Sequence, residues 1–177
     1  MIRCYVTDRR RGNLLSQVTA AVRDGVDFIQ VREKDLEAKA LFELVTQVRD
    51  VAAGTSTKVL VNDRLDVAVA AGVDGVHLPG NGLPAQRVRP AVKILGCSVH
   101  DIEEAVRAES AKADFVIYGP IYETPGKTAV GLEALRQVAE AVRIPVLAIG
   151  GMTLENAPAA LDAGAAGIAA IRMFQRD

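Results

Sequence analysis

Eight short, mostly apolar runs alternate with alanine-rich helical segments along this 177-residue chain. The runs are four or five residues long, which is the length of strands buried on both faces of a parallel sheet. They lie at 3–7, 28–32, 58–62, 75–78, 94–98, 115–118, 145–149 and 167–171. The helical segments lie at 14–24, 36–53, 64–71, 84–91, 101–111, 131–142 and 155–163. This alternation predicts an α/β protein with a parallel sheet.

Eight consecutive βα units favour one closed (β/α)8 TIM barrel over residues 1–177, with right-handed crossovers and the helices outside. The alternative is an open doubly wound sheet. That fold needs a reversal of strand order and usually a glycine-rich first turn, whereas the first turn here reads Thr7-Asp8-Arg9-Arg10-Arg11-Gly12. The barrel is therefore the predicted fold.

The helix ends carry their own signals. Gly25, Gly72 and Gly164 follow three helical segments at the place where a left-handed residue ends a helix. Asp101 is the predicted N-cap of the helix at 101–111, with Glu104 at the capping-box spacing.

The end of the chain does not fit a complete (β/α)8 barrel, because only six residues follow the eighth predicted strand. An eighth helix does not fit there, and even small barrels have about 200 residues. We expect a partner subunit or a further C-terminal segment to cover the groove beside strands eight and one. A homodimer is the expected assembly, since closed two-fold dimers are the commonest.

Composition excludes several classes of function. The net charge of −1 provides no field for nucleic acid or an anionic membrane, and no apolar run has the length of a membrane span. The two cysteines, Cys4 and Cys97, lie in separate apolar runs without metal or redox spacing. We expect buried, inert thiols and a cytoplasmic protein.

Polar residues follow the predicted strands at their C-terminal ends, where barrels carry their active sites. Gly150-Gly151 after strand seven and Ile171-Arg172 after strand eight match the usual phosphate site of this architecture. The alternatives are that the glycines only turn the chain and that Arg172 is a surface residue. The loop at 119–128 carries Thr124 and Lys127, which are suited to a phosphate.

A second anion site is predicted after strand two. Alternation places Gln30 and Arg32 on one face, and Lys34 adds a second cation. The alternative is a solvated charge run in which Glu33 and Asp35 pair with these two bases.

The remaining candidates are Asn62 and Asp63 after strand three, His77 in strand four, and Ser98 and His100 after strand five. Asp63 is either a Mg²⁺ ligand or the cap of the following helix. His77 is as consistent with a structural hydrogen bond as with reactivity. His100 lies in a loop and is the better candidate for proton transfer.

Together, these motifs resemble the thiamin phosphate synthase and TenI superfamily over essentially the whole chain. The resemblance rests on six motifs along the chain: Gln30-Val31-Arg32-Glu33-Lys34, Asn62-Asp63-Arg64, Asp74-Gly75-Val76-His77-Leu78, Gly96-Cys97-Ser98-Val99-His100, Gly119-Pro120-Ile121-Tyr122 with Thr124 and Lys127, and Ala148-Ile149-Gly150-Gly151-Met152. It implies a phosphate-binding barrel that handles the thiazole half of thiamin.

The resemblance leaves two activities open. A synthase expels diphosphate from hydroxymethylpyrimidine diphosphate and couples the resulting cation to thiazole phosphate. Its Mg²⁺ is held by an Asp matching Asp63 and by a second Asp, where this chain has Gly82. A TenI-type tautomerase aromatises a thiazole carboxylate phosphate without a cofactor, with the residue matching His100 moving the proton. Gly82 makes the tautomerase the favoured expectation and the synthase its alternative.

On the tautomerase interpretation, Gly150, Gly151, Thr124 and Lys127 hold the phosphate, while Ser98 or Glu123 orients the thiazole substrate. A third hypothesis is a non-catalytic regulatory protein that keeps the phosphate-ligand pocket, because the second Asp and the eighth helix are missing. Nothing basic or helix-turn-helix-like supports contact with DNA.

Overall fold

A computed structural model describes residues 1–175, which form a closed parallel barrel with eight strands in chain order. The strands are β1 Ile2–Val6, β2 Phe28–Val31, β3 Lys58–Asn62, β4 Gly75–Leu78, β5 Ile94–Val99, β6 Phe115–Tyr118, β7 Val146–Ile149 and β8 Gly167–Ala170. The α-helices are α1 Leu14–Arg23, α2 Ala38–Ala52, α3 Leu65–Ala71, α4 Ala85–Val88, α5 Ile102–Ser110, α6 Gly131–Ala141 and α7 Ala157–Asp162. Short 3₁₀ helices span Arg9–Arg11, Arg89–Ala91 and Arg172–Phe174. The predicted (β/α)8 barrel is confirmed.

The largest differences from the predicted boundaries have local causes. The helix predicted at 84–91 divides into α4 and a 3₁₀ turn that contains Pro90, because proline has no N–H to donate to the carbonyl four residues earlier. The helix predicted at 155–163 begins later, at Ala157. Thr153 and Asn156 exchange side-chain and backbone hydrogen bonds of 2.8 and 3.3 Å before it, which holds that segment as a turn.

Side chains alternate between an inner and an outer core along the strands. The inner core fills the barrel with Cys4, Val6, Leu60, Phe115, Ile117, Leu147 and Ala169. Phe28 stacks on Phe115 with ring centroids 5.0 Å apart. Burial raises the pKa of the Cys4 thiol to about 12 and that of Cys97 to about 11. Both cysteines are buried as predicted, and their raised pKa values disfavour the reactive thiolate.

Three aspartates join neighbouring strands at the N-terminal end of the barrel. Asp27, Asp74 and Asp114 each precede an even-numbered strand, and each accepts a hydrogen bond from a backbone N–H of the preceding strand at 2.7–2.9 Å. Asp114 also binds the guanidinium of Arg89. This repeated contact satisfies strand-end donors on the face of the barrel opposite the candidate site.

Replacing Asp114 by Ala is expected to destabilise the fold by about 1–3 kcal/mol, because it leaves the Leu95 N–H and Arg89 without their shared acceptor. Urea denaturation measures this loss. Asp162→Ala is the matched control, since the exposed Asp162 carboxylate makes no hydrogen bond to residues 1–175. Equal stability of the two variants would contradict the prediction.

The glycines predicted to end helices have the expected left-handed conformation. Their φ values are 71° at Gly25, 64° at Gly72 and 97° at Gly164. The N-cap at Asp101 is also confirmed, since its side chain accepts the backbone N–H of Glu104 at 2.7 Å.

The chain's own C-terminal turn covers part of the groove beside β8 and β1. Tyr5 faces outward from β1 and is fully buried, with the ring of Phe174 packed edge-on at 6.2 Å. Its hydroxyl donates to Gln17, which also accepts from Gln175. No α-helix follows β8 within residues 1–175. Part of the expected cover is thus internal to this chain, while a partner subunit there stays a prediction.

No helix in the described part of the chain is long and apolar enough to cross a membrane.

Candidate functional site

The mouth of the barrel has a polar half and an apolar half. At the C-terminal ends of β2 to β5, alternation turns five polar side chains inward: Gln30, Arg32, Asn62, His77 and Ser98. On the opposite side, Ile149 and Ile171 pack against the inner core of the barrel. A ligand bound here would contact hydrogen-bonding groups on one side and an apolar surface on the other, as is typical of small-molecule sites.

The acids between the predicted cations turn away from them. The buried Glu33 carboxylate accepts hydrogen bonds from the Thr7 hydroxyl at 2.7 Å and from the Arg9 N–H at 3.0 Å. Asp35 forms a bidentate pair with the Arg9 guanidinium at 2.8 and 2.9 Å. The alternative in which Glu33 and Asp35 pair with Arg32 and Lys34 is therefore wrong.

Arg32 and Lys34 are left without a carboxylate partner among residues 1–175. The Arg32 backbone is fixed by its N–H donating to Thr7 at 3.0 Å. Arg32 is half-buried, whereas Lys34 is exposed. A partly buried guanidinium without a counter-ion favours an anionic ligand.

Thr124 and Lys127 are the two ends of a tight turn after β6. Lys127 donates its N–H to the Thr124 carbonyl at 3.0 Å, with Pro125 and Gly126 between them and a φ of 79° at Gly126. These are the marks of a type II turn. The turn fixes the backbone position of the exposed Lys127. Its side chain makes no described hydrogen bond or ion pair with the other candidate residues.

Gly150 and Gly151 both have a positive φ and lie too close to other atoms to carry a side chain, which are the two conditions that favour glycine. Their φ values are 95° and 65°. A methyl group on Gly150 would lie 2.3 Å from Pro120, and one on Gly151 would lie 2.7 Å from Tyr122. The Gly150 carbonyl also accepts the Tyr122 N–H at 3.1 Å. The glycines thus bring the loops after β6 and β7 together, so turning the chain and admitting a phosphate are compatible roles.

Arg172 lies apart from this glycine pair. It is exposed and lines a cavity of about 780 Å³ together with Arg10, Arg11 and residues of α1, whereas neither glycine lines that cavity. The suggestion that Arg172 adds charge at Gly150-Gly151 finds no support in this arrangement.

His77 is buried and hydrogen-bonded, as one of its two interpretations predicted. Its exposed fraction is 1%, its Nε2 lies 2.8 Å from the Ser98 hydroxyl, and its ring faces Phe115 at 5.8 Å. Burial, followed by the charge of Arg32, lowers the pKa of His77 to about 3. His77 is therefore neutral near pH 7 and does not supply the cation of the site.

His100 is exposed at the start of α5 and is held by Glu104. One Glu104 oxygen accepts the His100 backbone N–H at 2.8 Å and lies 3.0 Å from the ring Nδ1. The ring rests over Gly80, where a methyl group would approach its carbon Cε1 to 2.8 Å. Since an ionised carboxylate only accepts hydrogen bonds, Nδ1 carries the proton and Nε2 is left as the basic nitrogen.

Asp63 borders a groove and does not cap the following helix. Its φ is 65°, which is uncommon for a residue other than glycine, and α3 has no side-chain cap bond at its start. The alternative role as a cap is therefore wrong. The carboxylate borders a groove of about 850 Å³ that includes Asn81, Gly82 and exposed Leu83.

Gly82 lies directly beside the Asp63 carboxylate, because a methyl group built on it would come within 3.0 Å of Asp63 Oδ1. An acid at position 82 would make a carboxylate pair there. Among residues 1–175, no cluster of three His, Cys, Asp or Glu side chains is suitable for a metal. The single Asp63 fits a Mg²⁺ ion that is held mainly by substrate phosphate oxygens and water, which is the usual way that proteins bind this ion.

Three contributors to the site were not among the predicted site residues. Arg9 draws the two acids away from Arg32, Thr7 fixes the Arg32 backbone, and Glu104 holds His100. The first two act across 24 or more residues of sequence. Only Glu104 had a sequence signal, since the capping-box spacing placed it within reach of the start of α5.

The chain was compared with protein families and known proteins. The family model described as thiamine monophosphate synthase matches residues 4–174. A relative from Geobacter sulfurreducens, whose name marks its synthase assignment as provisional, is 42% identical over 97% of this chain and 85% of its own length. The thiamine-phosphate synthase of Roseiflexus sp. RS-1 is 40% identical over 94% of this chain and 75% of its own.

Among solved structures, a thiamine phosphate pyrophosphorylase from Pyrococcus furiosus superposes with a TM-score of 0.91 at 35% identity. The match covers 99% of this chain and 89% of that protein. The resemblance seen in the six motifs is thereby confirmed across the barrel, and the chain belongs to the thiamine monophosphate synthase and TenI family.

Proposed function

We propose that this protein is a thiamine-phosphate synthase, which couples hydroxymethylpyrimidine diphosphate to thiazole phosphate with release of diphosphate. The names of the relatives support this activity over the tautomerase, which was the favoured expectation from the sequence. The observation that carries the proposal is the half-buried Arg32, whose acidic neighbours are both bound to Arg9.

Each part of the mouth has a role in this reaction. Arg32 and Lys34 bind the departing diphosphate, while Gln30, Asn62 and Ser98 supply neutral hydrogen bonds. Asp63 would hold Mg²⁺, and that ion would supply positive charge to the leaving diphosphate. The apolar wall of Ile149 and Ile171 excludes water from the pyrimidine cation. The Gly150-Gly151 loop, with Thr124 and Lys127, holds the phosphate of the thiazole.

Two parallel reactions with the purified protein test this proposal. One contains hydroxymethylpyrimidine diphosphate, thiazole phosphate and Mg²⁺, and we expect it to form thiamine phosphate. The other contains only the thiazole carboxylate phosphate tautomer. Aromatisation in the second reaction with no product in the first would replace the synthase by the tautomerase. Absence of turnover in both would favour a non-catalytic role.

The tautomerase remains the second candidate because of His100. Its Nε2 is the basic nitrogen and its Nδ1 is held by Glu104, which is the arrangement of an oriented general base. The absence of an acid at position 82 agrees with a reaction that needs no metal.

If the protein is a tautomerase, His100→Gln should lower kcat for aromatisation by about 10²- to 10⁴-fold. Binding of the thiazole phosphate should be unchanged, because His100 is exposed and lies outside the glycine loop that holds the phosphate. Titration calorimetry of thiazole phosphate serves as the control. An undiminished kcat would remove His100 from the mechanism.

A further inference from the structure

We propose that His77 is a positioning residue that fixes the hydroxyl of Ser98 as a hydrogen-bond donor toward the mouth of the barrel. Ser98 then recognises a group that only accepts hydrogen bonds, such as a phosphate or diphosphate oxygen. The inference deepens the proposed function, because it assigns the selectivity of one contact in the anion site.

The environment of the imidazole determines which ring nitrogen carries the proton. Nε2 lies 2.8 Å from the Ser98 oxygen, whereas the buried Nδ1 has no hydrogen-bond partner. Nδ1 faces Gly96, where a methyl group would come within 2.6 Å of it. The ring is thus held between one polar contact and one apolar contact.

A buried N–H without an acceptor is more costly than a lone pair without a donor, and orphaned donors are correspondingly rare. Protonation of both nitrogens would add an uncompensated charge next to Arg32. The favoured form is therefore the neutral ring with its proton on Nε2, which donates to Ser98. Nδ1 then keeps only a lone pair against Gly96.

The polarity of Ser98 follows from this tautomer. A serine hydroxyl has one proton and accepts through its lone pairs. Since its oxygen accepts from His77 Nε2, its proton cannot return to that nitrogen. No group other than His77 is hydrogen-bonded to the Ser98 hydroxyl within the part of the chain that the structure describes. Ser98 is half-buried on the inward face of β5, so its proton is available to a ligand.

The opposite tautomer would give the opposite selectivity. Ser98 would then donate to Nε2 and present only lone pairs, which favour a ligand hydroxyl or ammonium group. Because Nδ1 has no partner, the proton stays on Nε2 and the Ser98 hydroxyl donates to the ligand. Ser98 thus adds to Arg32 in selecting an anion.

Nitrogen NMR of protein labelled at histidine with ¹⁵N tests the tautomer directly. The chain has two histidines, so His100→Gln assigns the remaining signals to His77. We expect an unprotonated Nδ1 and a protonated Nε2 across the neutral pH range. A protonated Nδ1, or averaged signals from both tautomers, would overturn the proposal.

Binding of inorganic pyrophosphate without divalent cations tests the consequence. Ser98→Ala should weaken binding by about five- to tenfold, the effect of one lost hydrogen bond. His77→Phe keeps a buried ring but removes the N–H that fixes the orientation of the Ser98 hydroxyl. It should therefore weaken pyrophosphate binding in the wild-type background. In the Ser98→Ala background it should have no further effect. Unchanged affinity in Ser98→Ala, or additive losses, would overturn the proposal.

If His77→Phe does not fold, the NMR measurement of the His77 tautomer and pyrophosphate binding by Ser98→Ala still test the proposal. Neither measurement needs turnover. A protein that binds pyrophosphate as predicted but forms no thiamine phosphate would refute the synthase proposal and leave this one intact.

Discussion

Replacing Asp63 by Asn is expected to lower kcat/KM for thiamine phosphate formation by about 100- to 1,000-fold. The Asp63 carboxylate lies directly beside Gly82, and Mg²⁺ at such a leaving group supplies several kcal/mol of charge stabilisation. The amide of Asn keeps the size of the side chain and one acceptor oxygen but loses the charge. Initial rates over a Mg²⁺ titration measure the effect.

Asp66→Asn is the matched control for this experiment. Asp66 borders the same groove, is exposed and is bound by the Arg64 guanidinium. Loss of an exposed ion pair changes free energies by less than about 1 kcal/mol, so the control should retain activity within about fivefold. Equal losses in Asp63→Asn and Asp66→Asn would contradict the assignment of the metal to Asp63.

Gly82→Asp provides the reverse test. It places a second carboxylate next to Asp63, and we expect half-maximal activity at a lower Mg²⁺ concentration. The loop must shift slightly, because the added carbon would lie 2.9 Å from Pro79 and 3.0 Å from Asp63. An unchanged Mg²⁺ dependence would mean that the groove at Gly82 is not the metal site.

Gly150→Ala is expected to destabilise the fold by about 3 kcal/mol and to weaken binding of thiazole phosphate. The methyl group would enter the Pro120 ring at 2.3 Å, and the φ of 95° is unfavourable for alanine. The loops after β6 and β7 must then separate, which displaces the backbone N–H groups that would hold the phosphate. Urea denaturation and calorimetry measure the two effects.

Gly126→Ala separates conformational strain from crowding. Gly126 also has a positive φ, of 79°, but no atom lies within 4 Å of an added methyl group. We expect a loss of about 1 kcal/mol from the left-handed conformation alone. Similar losses in both variants would mean that the close approach of Gly150 to Pro120 contributes little.

The repeating pattern of the chain determined the barrel. Buried strands of four to six residues and amphipathic helices have different periods, and eight such pairs close on themselves with few alternatives. Alternation along the strand placed Gln30 and Arg32 on one face, and the ends of the helical segments marked the glycines that terminate them. These features depend on neighbouring residues, so the sequence contains them directly.

The charge state of the mouth was decided only by tertiary structure. In the sequence, Glu33 and Asp35 stand beside Arg32 and Lys34, and pairing among these four was a reasonable alternative. The closed barrel brings Arg9 from the loop after β1 against both acids. The burial of His77 between Gly96 and Ser98 likewise requires β4 and β5 to be paired. Such contacts join residues distant in sequence, and only the packing of the strands fixes which charges and protons remain for a ligand.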